Sequence, residues 1–203
     1  MLKVGITGGI GSGKTTACQM FEELGIPVYY ADERAKYLMQ HEHFLIEQLK
    51  KNFGDEVYEN GKLNRTYLAQ KVFGNNVQLA LLNSIVHPAV FRDTERWLDE
   101  QSPKNVPYTL KEAALLIESG SYRALDKLIV VTASTLVRIK RVTTRDNTTE
   151  EAVLERIKHQ MPDEEKIKLA DYVIDNNCTT DDLKKQVMEI HHQLVGLWSK
   201  KFA

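Results

Sequence analysis

The chain has 203 residues, 42% of them hydrophobic, with 27 Lys and Arg against 28 Asp and Glu. That apolar content suits one α/β domain with room for a smaller inserted lobe, and the near balance of charge argues against a protein that coats nucleic acid or an anionic membrane. Cys18 and Cys178 have no paired spacing, so neither a disulfide framework nor a zinc site is suggested, and a reducing compartment, the cytoplasm, fits best. Met1 leads directly into a short apolar stretch and a glycine loop, and no cleaved leader is expected.

Leu2 to Thr7 is a β-prone run, and from Lys14 to Leu24 the apolar residues Ala17, Met20, Phe21 and Leu24 fall on one helical face that Gly25 ends. Val28-Tyr29-Tyr30 predicts a second strand running out at Ala31-Asp32. Asp32 then stands at the carboxyl end of a strand, the edge at which open α/β sheets bind ligands. Arg34 to Ser102 reads mostly as helix, broken by a turn at Asn60-Gly61. Within it Leu79, Leu82, Val86, Val90 and Phe91 mark one long helix that Pro88 is expected to kink or split. Pro107 to Ala114 and Lys127 to Ala133 predict further strands, the second apolar enough for a buried parallel sheet. Arg138, Arg141 and Arg145 recur at helical spacing, Asp146-Asn147 predicts a flexible corner, and Thr148 with Glu151 predicts a capping box for another helix. Tyr172 to Ile174 reads as a last strand. A closing helix, striped by Leu183, Val187, Ile190, Leu194 and Leu197, is expected to pack on the sheet. Strands alternating with helices predict a parallel sheet.

Gly8 to Thr15 spells the phosphate-loop pattern G-x-x-x-x-G-K-[ST] between a predicted strand and a predicted helix. Backbone N–H groups must point inward at phosphate oxygens there, and glycines at Gly8, Gly9, Gly11 and Gly13 tolerate the dihedrals and the close approach. Ser12 completes the loop. Lys14 is expected to reach the β- and γ-phosphates of ATP, the Thr15 hydroxyl to ligate Mg²⁺, and Thr16 to add a hydroxyl near the α-phosphate. Neither a D-x-x-G switch nor an N-K-x-D guanine reader occurs, and where motor-type ATPases end an apolar run in a metal-holding Asp the runs here end in Thr132-Ala133 and in Leu116-Ile117-Glu118, which leaves small-molecule kinases. Asp32 is the candidate general base toward an attacking hydroxyl, with a second role at Mg²⁺ through water; the competing reading makes it the cap of a helix starting at Glu33. Arg141 and Arg145 are read as lid residues that stabilise charge on the transferred phosphoryl group and exclude water, against a merely solvated basic face. His87, beside Pro88, is read as a kink or substrate-contact residue. The remaining histidines show no ligand geometry.

Taken together, Gly5 to Thr16, Ala31-Asp32, Leu82-Asn83 with His87-Pro88, Leu115-Leu116 with Glu118, Arg141, Arg145-Asp146, Arg156-Ile157 with Gln160, and Ala170 to Asn176 resemble the dephospho-CoA kinase family over nearly the whole chain. The resemblance implies a P-loop NTPase fold, a parallel sheet flanked by helices. It implies a nucleotide-binding core at 1–35, 105–140 and 165–203, a helical CoA-binding lobe at 60–102 and a lid at 141–162. It implies ATP and dephospho-CoA as substrates, Asp32 as base on the ribose 3′-hydroxyl, and Arg141 with Arg145 at the ATP phosphates or near the adenine. His87, Leu115 and Glu118 would touch the acceptor, in a monomer or small homo-oligomer. Two positions depart from the family pattern: Tyr30 stands where an Asp is usual, and Ala114 where a Pro is usual. Glu112 is a candidate to compensate for the carboxylate that Tyr30 lacks. A nucleoside monophosphate kinase, with Arg65, Arg92 and Arg96 as acceptor-phosphate candidates, and a nucleotide-sensing module without turnover are the alternatives.

Overall fold

The computed structural model describes residues 1–202. Its elements in chain order are β1 (Leu2–Thr7), α1 (Lys14–Glu23), β2 (Val28–Tyr30), α2 (Ala31–His41), α3 (His43–Phe53), β3 (Tyr58–Glu59), β4 (Lys62–Leu63), α4 (Arg65–Val72), α5 (Asn76–Gln101), β5 (Tyr108–Glu112), β6 (Lys127–Thr132), α6 (Thr135–Asp146), α7 (Glu150–Lys158), α8 (Asp163–Ile167), β7 (Tyr172–Asp175) and α9 (Thr180–Phe202). They form two compact units, one made of Met1–Tyr30 with the chain from Glu100 onward, the other of Ala31–Asp99.

The first unit is built on a parallel sheet in the order β2-β5-β1-β6-β7. β1 is its middle strand, with Val4 opposite Leu110 on one side and Lys127 on the other. The chain serves one side of β1 with β2 and β5 and then crosses to the other with β6 and β7. The crevice beyond the carboxyl end of β1 is therefore the topological switch point, where open α/β sheets bind ligands. β6 explains why its sequence lacks alternation. Ile129 and Val131 enter a core with Val4, Ile6, Phe21, Leu110, Ile174 and the buried face of α9, while Leu128 and Val130 enter another with Leu116 and Ile117. Both sheet faces are covered, so every position of the run is apolar. Leu183, Val187, Ile190 and Leu194 are buried on α9 as their spacing predicts, whereas Leu197, the last of the stripe, is exposed.

The second unit has its own core of Leu38, Leu45, Leu49, Phe53, Val57, Leu68, Val86 and Ala89. Asn60 and Gly61 both take positive φ, 50° and 75°, and turn the chain between the antiparallel strands β3 and β4. Gln40 on α2 fastens this hairpin, its Nε2 donating to the Gly61 carbonyl and its Oε1 accepting from the Leu63 N–H.

Three further details differ from the sequence reading. α5 is not split at Pro88, and it buries Val86 and Ala89 while leaving Leu79 and Phe91 exposed, because the unit packs against a narrower stripe than the apolar residues span. α2 starts at Ala31, so Asp32 lies within its first turn and does not cap a helix starting at Glu33. The cap of α7 is Thr149, whose hydroxyl accepts from the Ala152 N–H, and not Thr148. Asn147 takes the left-handed conformation that ends α6, which leaves one further residue before the extended cap position.

Candidate active site

The loop from Gly8 to Gly13 joins β1 to α1 at the switch point. Gly13 has φ +95°, and a Cβ there would stand 2.0 Å from Asn176 Nδ2; a Cβ on Gly8 would stand 2.1 Å from the Val131 carbonyl oxygen. No side chain fits at either position. Three residues distant in sequence hold the loop's carbonyls. Arg138 Nε donates to Ile10 O at 2.8 Å, Arg141 Nη1 to Gly11 O and Ser12 O at 3.5 and 3.4 Å, and Asn176 Nδ2 to Ser12 O at 2.8 Å. Arg141 is itself held, its Nη2 donating to Asn176 O at 3.0 Å and to Asn176 Oδ1 at 3.3 Å.

With the carbonyls engaged this way, the N–H groups of Gly11, Gly13, Thr15 and Thr16 have no protein acceptor among the described residues. They form the donor set that phosphate oxygens require at a helix start. Gly13 gives α1 no side-chain cap and its first turn carries no acid, so nothing on the helix itself offsets its positive end. Lys14 Nζ donates to the Gly8 carbonyl at 2.8 Å across the loop, and Ser12 Oγ is buried without a hydrogen-bond partner among the described residues. Such donors, an ammonium group and an orphaned hydroxyl fit the triphosphate of ATP.

One acid at this edge is Glu112, the last residue of β5, buried and paired across the sheet with Ile6 and Tyr30. Burial first, and then the charge of Glu112, push the Cys18 thiol up, so it stays protonated and unreactive although Lys14 acts on it in the opposite direction. The Tyr30 hydroxyl donates to Glu22 Oε2 at 2.9 Å on α1, and burial and that bond raise its pKa. Where the resemblance leads one to expect an Asp, this chain has a phenol bonded to a neighbouring helix.

Other sequence-predicted residues fall as follows. Asp32, the second residue of α2, is exposed, and His87 is exposed on α5 beside Pro88; both belong to the Ala31–Asp99 unit. Leu115 is exposed beyond β5, and Glu118 lies 3.3 Å from the fully buried ammonium of Lys166. Ala114, where the resemblance leads one to expect a Pro, accepts the Thr7 hydroxyl at its carbonyl. Arg145 forms a two-bond pair with Asp146 at 2.7 and 3.1 Å, and Arg156 adds a third bond at 3.3 Å. These arginines hold the Asp146 carboxyl below its usual range. Sequence reasoning assigned no work to Arg138, Gln160 or Asn176. Arg138 shares the face of Arg141, and the other two stood in the motifs that carry the resemblance, but none of these signals says that the target is a backbone carbonyl or N–H 128 to 164 positions away.

Among the described residues no cluster of three or more His, Cys, Asp and Glu is set to hold a metal. In phosphate-loop sites the Ser or Thr that follows the loop lysine is one of the groups that hold Mg²⁺, and the exposed Thr15 hydroxyl beside the donor set stands at that position.

A family model described as dephospho-CoA kinase matches residues 2–182. A protein of Salinibacter ruber named dephospho-CoA kinase is 40% identical over 197 residues, which cover 97% of this chain and 99% of the relative. Among solved structures, TT1252 from Thermus thermophilus superposes with a TM-score of 0.82 at 34% identity, covering 95% of this chain and 97% of the other. A dephospho-CoA kinase from Campylobacter jejuni superposes with a TM-score of 0.71 at 25% identity, covering 96% and 97%.

Proposed function

The chain belongs to the dephospho-CoA kinase family, and from that premise we propose how its residues carry the γ-phosphoryl group of ATP to the 3′-hydroxyl of dephospho-CoA, yielding coenzyme A and ADP. The loop from Gly8 to Thr16 takes the phosphates: Gly8, Gly9, Gly11, Ser12 and Gly13 give the backbone its close approach, and Lys14 moves from the Gly8 carbonyl to the β- and γ-oxygens. Asp32 accepts the proton of the ribose hydroxyl as that oxygen attacks phosphorus. Parallel pairing puts the ends of β1 and β2 on the same sheet edge, and Asp32 follows β2 by two residues.

The Thr15 hydroxyl would hold Mg²⁺, with Asp32 acting through water, and the ion would supply neutralisation of the phosphates' negative charge. Arg141, fixed against the loop, and Arg145, on the segment at 141–162 that serves as lid, contribute positive charge toward the phosphates and help exclude water. The helical region 60–102 receives the CoA moiety, with His87, Leu115 and Glu118 touching the acceptor. No helix of the described residues is long and apolar enough to cross a membrane. The cytoplasm as its place of work rests on the unpaired cysteines, and the working form proposed is a monomer or small homo-oligomer.

The observation that carries this reading is the loop with its carbonyls engaged by Arg138, Arg141 and Asn176 and its N–H groups left to a ligand. Asp32→Asn tests it. Loss of a general base lowers kcat by about 10² to 10⁴-fold, with ATP affinity retained. A nucleotide-sensing module would lose nothing by that change, so full retention of turnover in the variant rejects Asp32 as the base.

A further inference from the structure

Ile10 lies between Gly9 and Gly11 in the phosphate loop. Neither neighbour has a Cβ to restrain rotation of the intervening peptides, so something outside the loop must fix them. Both polar groups of the Ile10 backbone are answered by distant side chains. Its N–H donates to Gln160 Oε1 at 2.9 Å, and its carbonyl accepts from Arg138 Nε at 2.8 Å. The same Gln160 oxygen accepts from Arg138 Nη2 at 3.1 Å, and Arg138 Nη1 reaches Asp163 Oδ2 at 3.3 Å. Arg138 is buried, and a Cβ on Gly9 would stand 2.3 Å from its Nη2, so the guanidinium lies directly against the loop. One carboxamide oxygen, just beyond α7, thus closes a ring through Ile10 N–H, Ile10 C=O and Arg138.

We propose that Gln160 is a positioning residue of the nucleotide site, its side-chain oxygen locking the Ile10 peptide so that the next N–H groups of the loop face the phosphates of ATP. The inference rests on the reading of Gly8 to Thr16 as the ATP grip. Without that oxygen Ile10 gains a donor with no acceptor, Arg138 loses one of its anchors, and the peptides on either side of Ile10 are free to turn. The consequence falls on ATP more than on the acceptor, because the donors that depend on the lock are those that meet phosphate.

Gln160→Leu keeps the bulk and removes the acceptor, whereas Gln160→Glu keeps an oxygen for both donors. For the Leu variant we expect the KM and the directly titrated Kd for ATP to rise about tenfold, the effect of losing a well-placed hydrogen bond at a charged site. KM for dephospho-CoA and Tm stay near wild type, and the Ile10 amide proton exchanges faster by NMR. The Glu variant returns ATP affinity toward the wild-type value. Wild-type ATP affinity in the Leu variant overturns the proposal. So does a Glu variant as impaired as the Leu variant, or a loss that tracks a lowered Tm with KM for ATP unchanged. Wild-type protein that binds no ATP overturns the reading of the loop itself, a result separable from the others because it involves no substitution.

Discussion

Individual residues in this protein do their work by what they exclude or restrain. Gly13 is the sharpest case, because its φ of +95° and the 2.0 Å approach of Asn176 Nδ2 act at one position. Gly13→Ala is expected to destabilise the fold by about 1 to 3 kcal/mol in chemical denaturation and to raise KM for ATP, since strain and displacement of Asn176 fall on the same loop. An unchanged KM would mean that the loop absorbs a methyl group that the geometry says it cannot. Tyr30 is the converse case. Its hydroxyl is bonded to Glu22, so Tyr30→Phe should leave kcat within about twofold of wild type and cost about 1 kcal/mol of stability at most. A large loss of kcat would place that phenol in the chemistry.

At the scale of elements, both caps and cores make numerical demands. Thr149 caps α7 through the Ala152 N–H, and Thr149→Ala should cost about 0.5 to 2 kcal/mol, read from the denaturation midpoint. Leu49 is fully buried in the core of the Ala31–Asp99 unit, and Leu49→Ala should cost about 2 to 5 kcal/mol. The elements themselves were largely legible in the sequence, because apolar period and glycine punctuation are local signals: β1, α1, β2, β6, β7 and α9 follow from runs such as Leu128 to Val131 and from Gly25. The phosphate loop was legible for the same reason, since its spelling is contiguous. The restraints on that loop were not. Arg138, Gln160 and Asn176 meet Ile10 and Ser12 only through tertiary packing, and a guanidinium aimed at a carbonyl reads in sequence like one aimed at water. The exposure of Leu79 and Phe91 was hidden for a related reason, because periodicity says which residues share a face of α5 and not how wide a stripe its neighbours cover.

On the scale of the whole molecule, stability is coupled to protons and to ligand. His191 Nδ1 lies 2.8 Å from the Tyr108 hydroxyl, and burial, then the charge of His192, hold its pKa below the ordinary 6.5. The folded chain thus binds fewer protons at this site than the unfolded chain. Its contribution is complete above pH 6.5 and is lost as pH falls through the lowered folded value. Replacing it, as in His191→Gln, should flatten the decline in Tm between about pH 7 and about pH 5; an unaltered slope would assign the decline to other groups. ATP at about 100 times its Kd should add about 2.7 kcal/mol to the unfolding free energy of the native protein.

The most direct measurement of the central claim is ADP release by purified protein with Mg-ATP, run in parallel with dephospho-CoA, AMP, CMP, pantothenate and an acceptor-free blank. The account predicts ADP in step with consumed dephospho-CoA and a new 3′-phosphate on the product, with the other acceptors near the blank. No ADP above the blank with dephospho-CoA, or faster release with AMP or CMP, would contradict it.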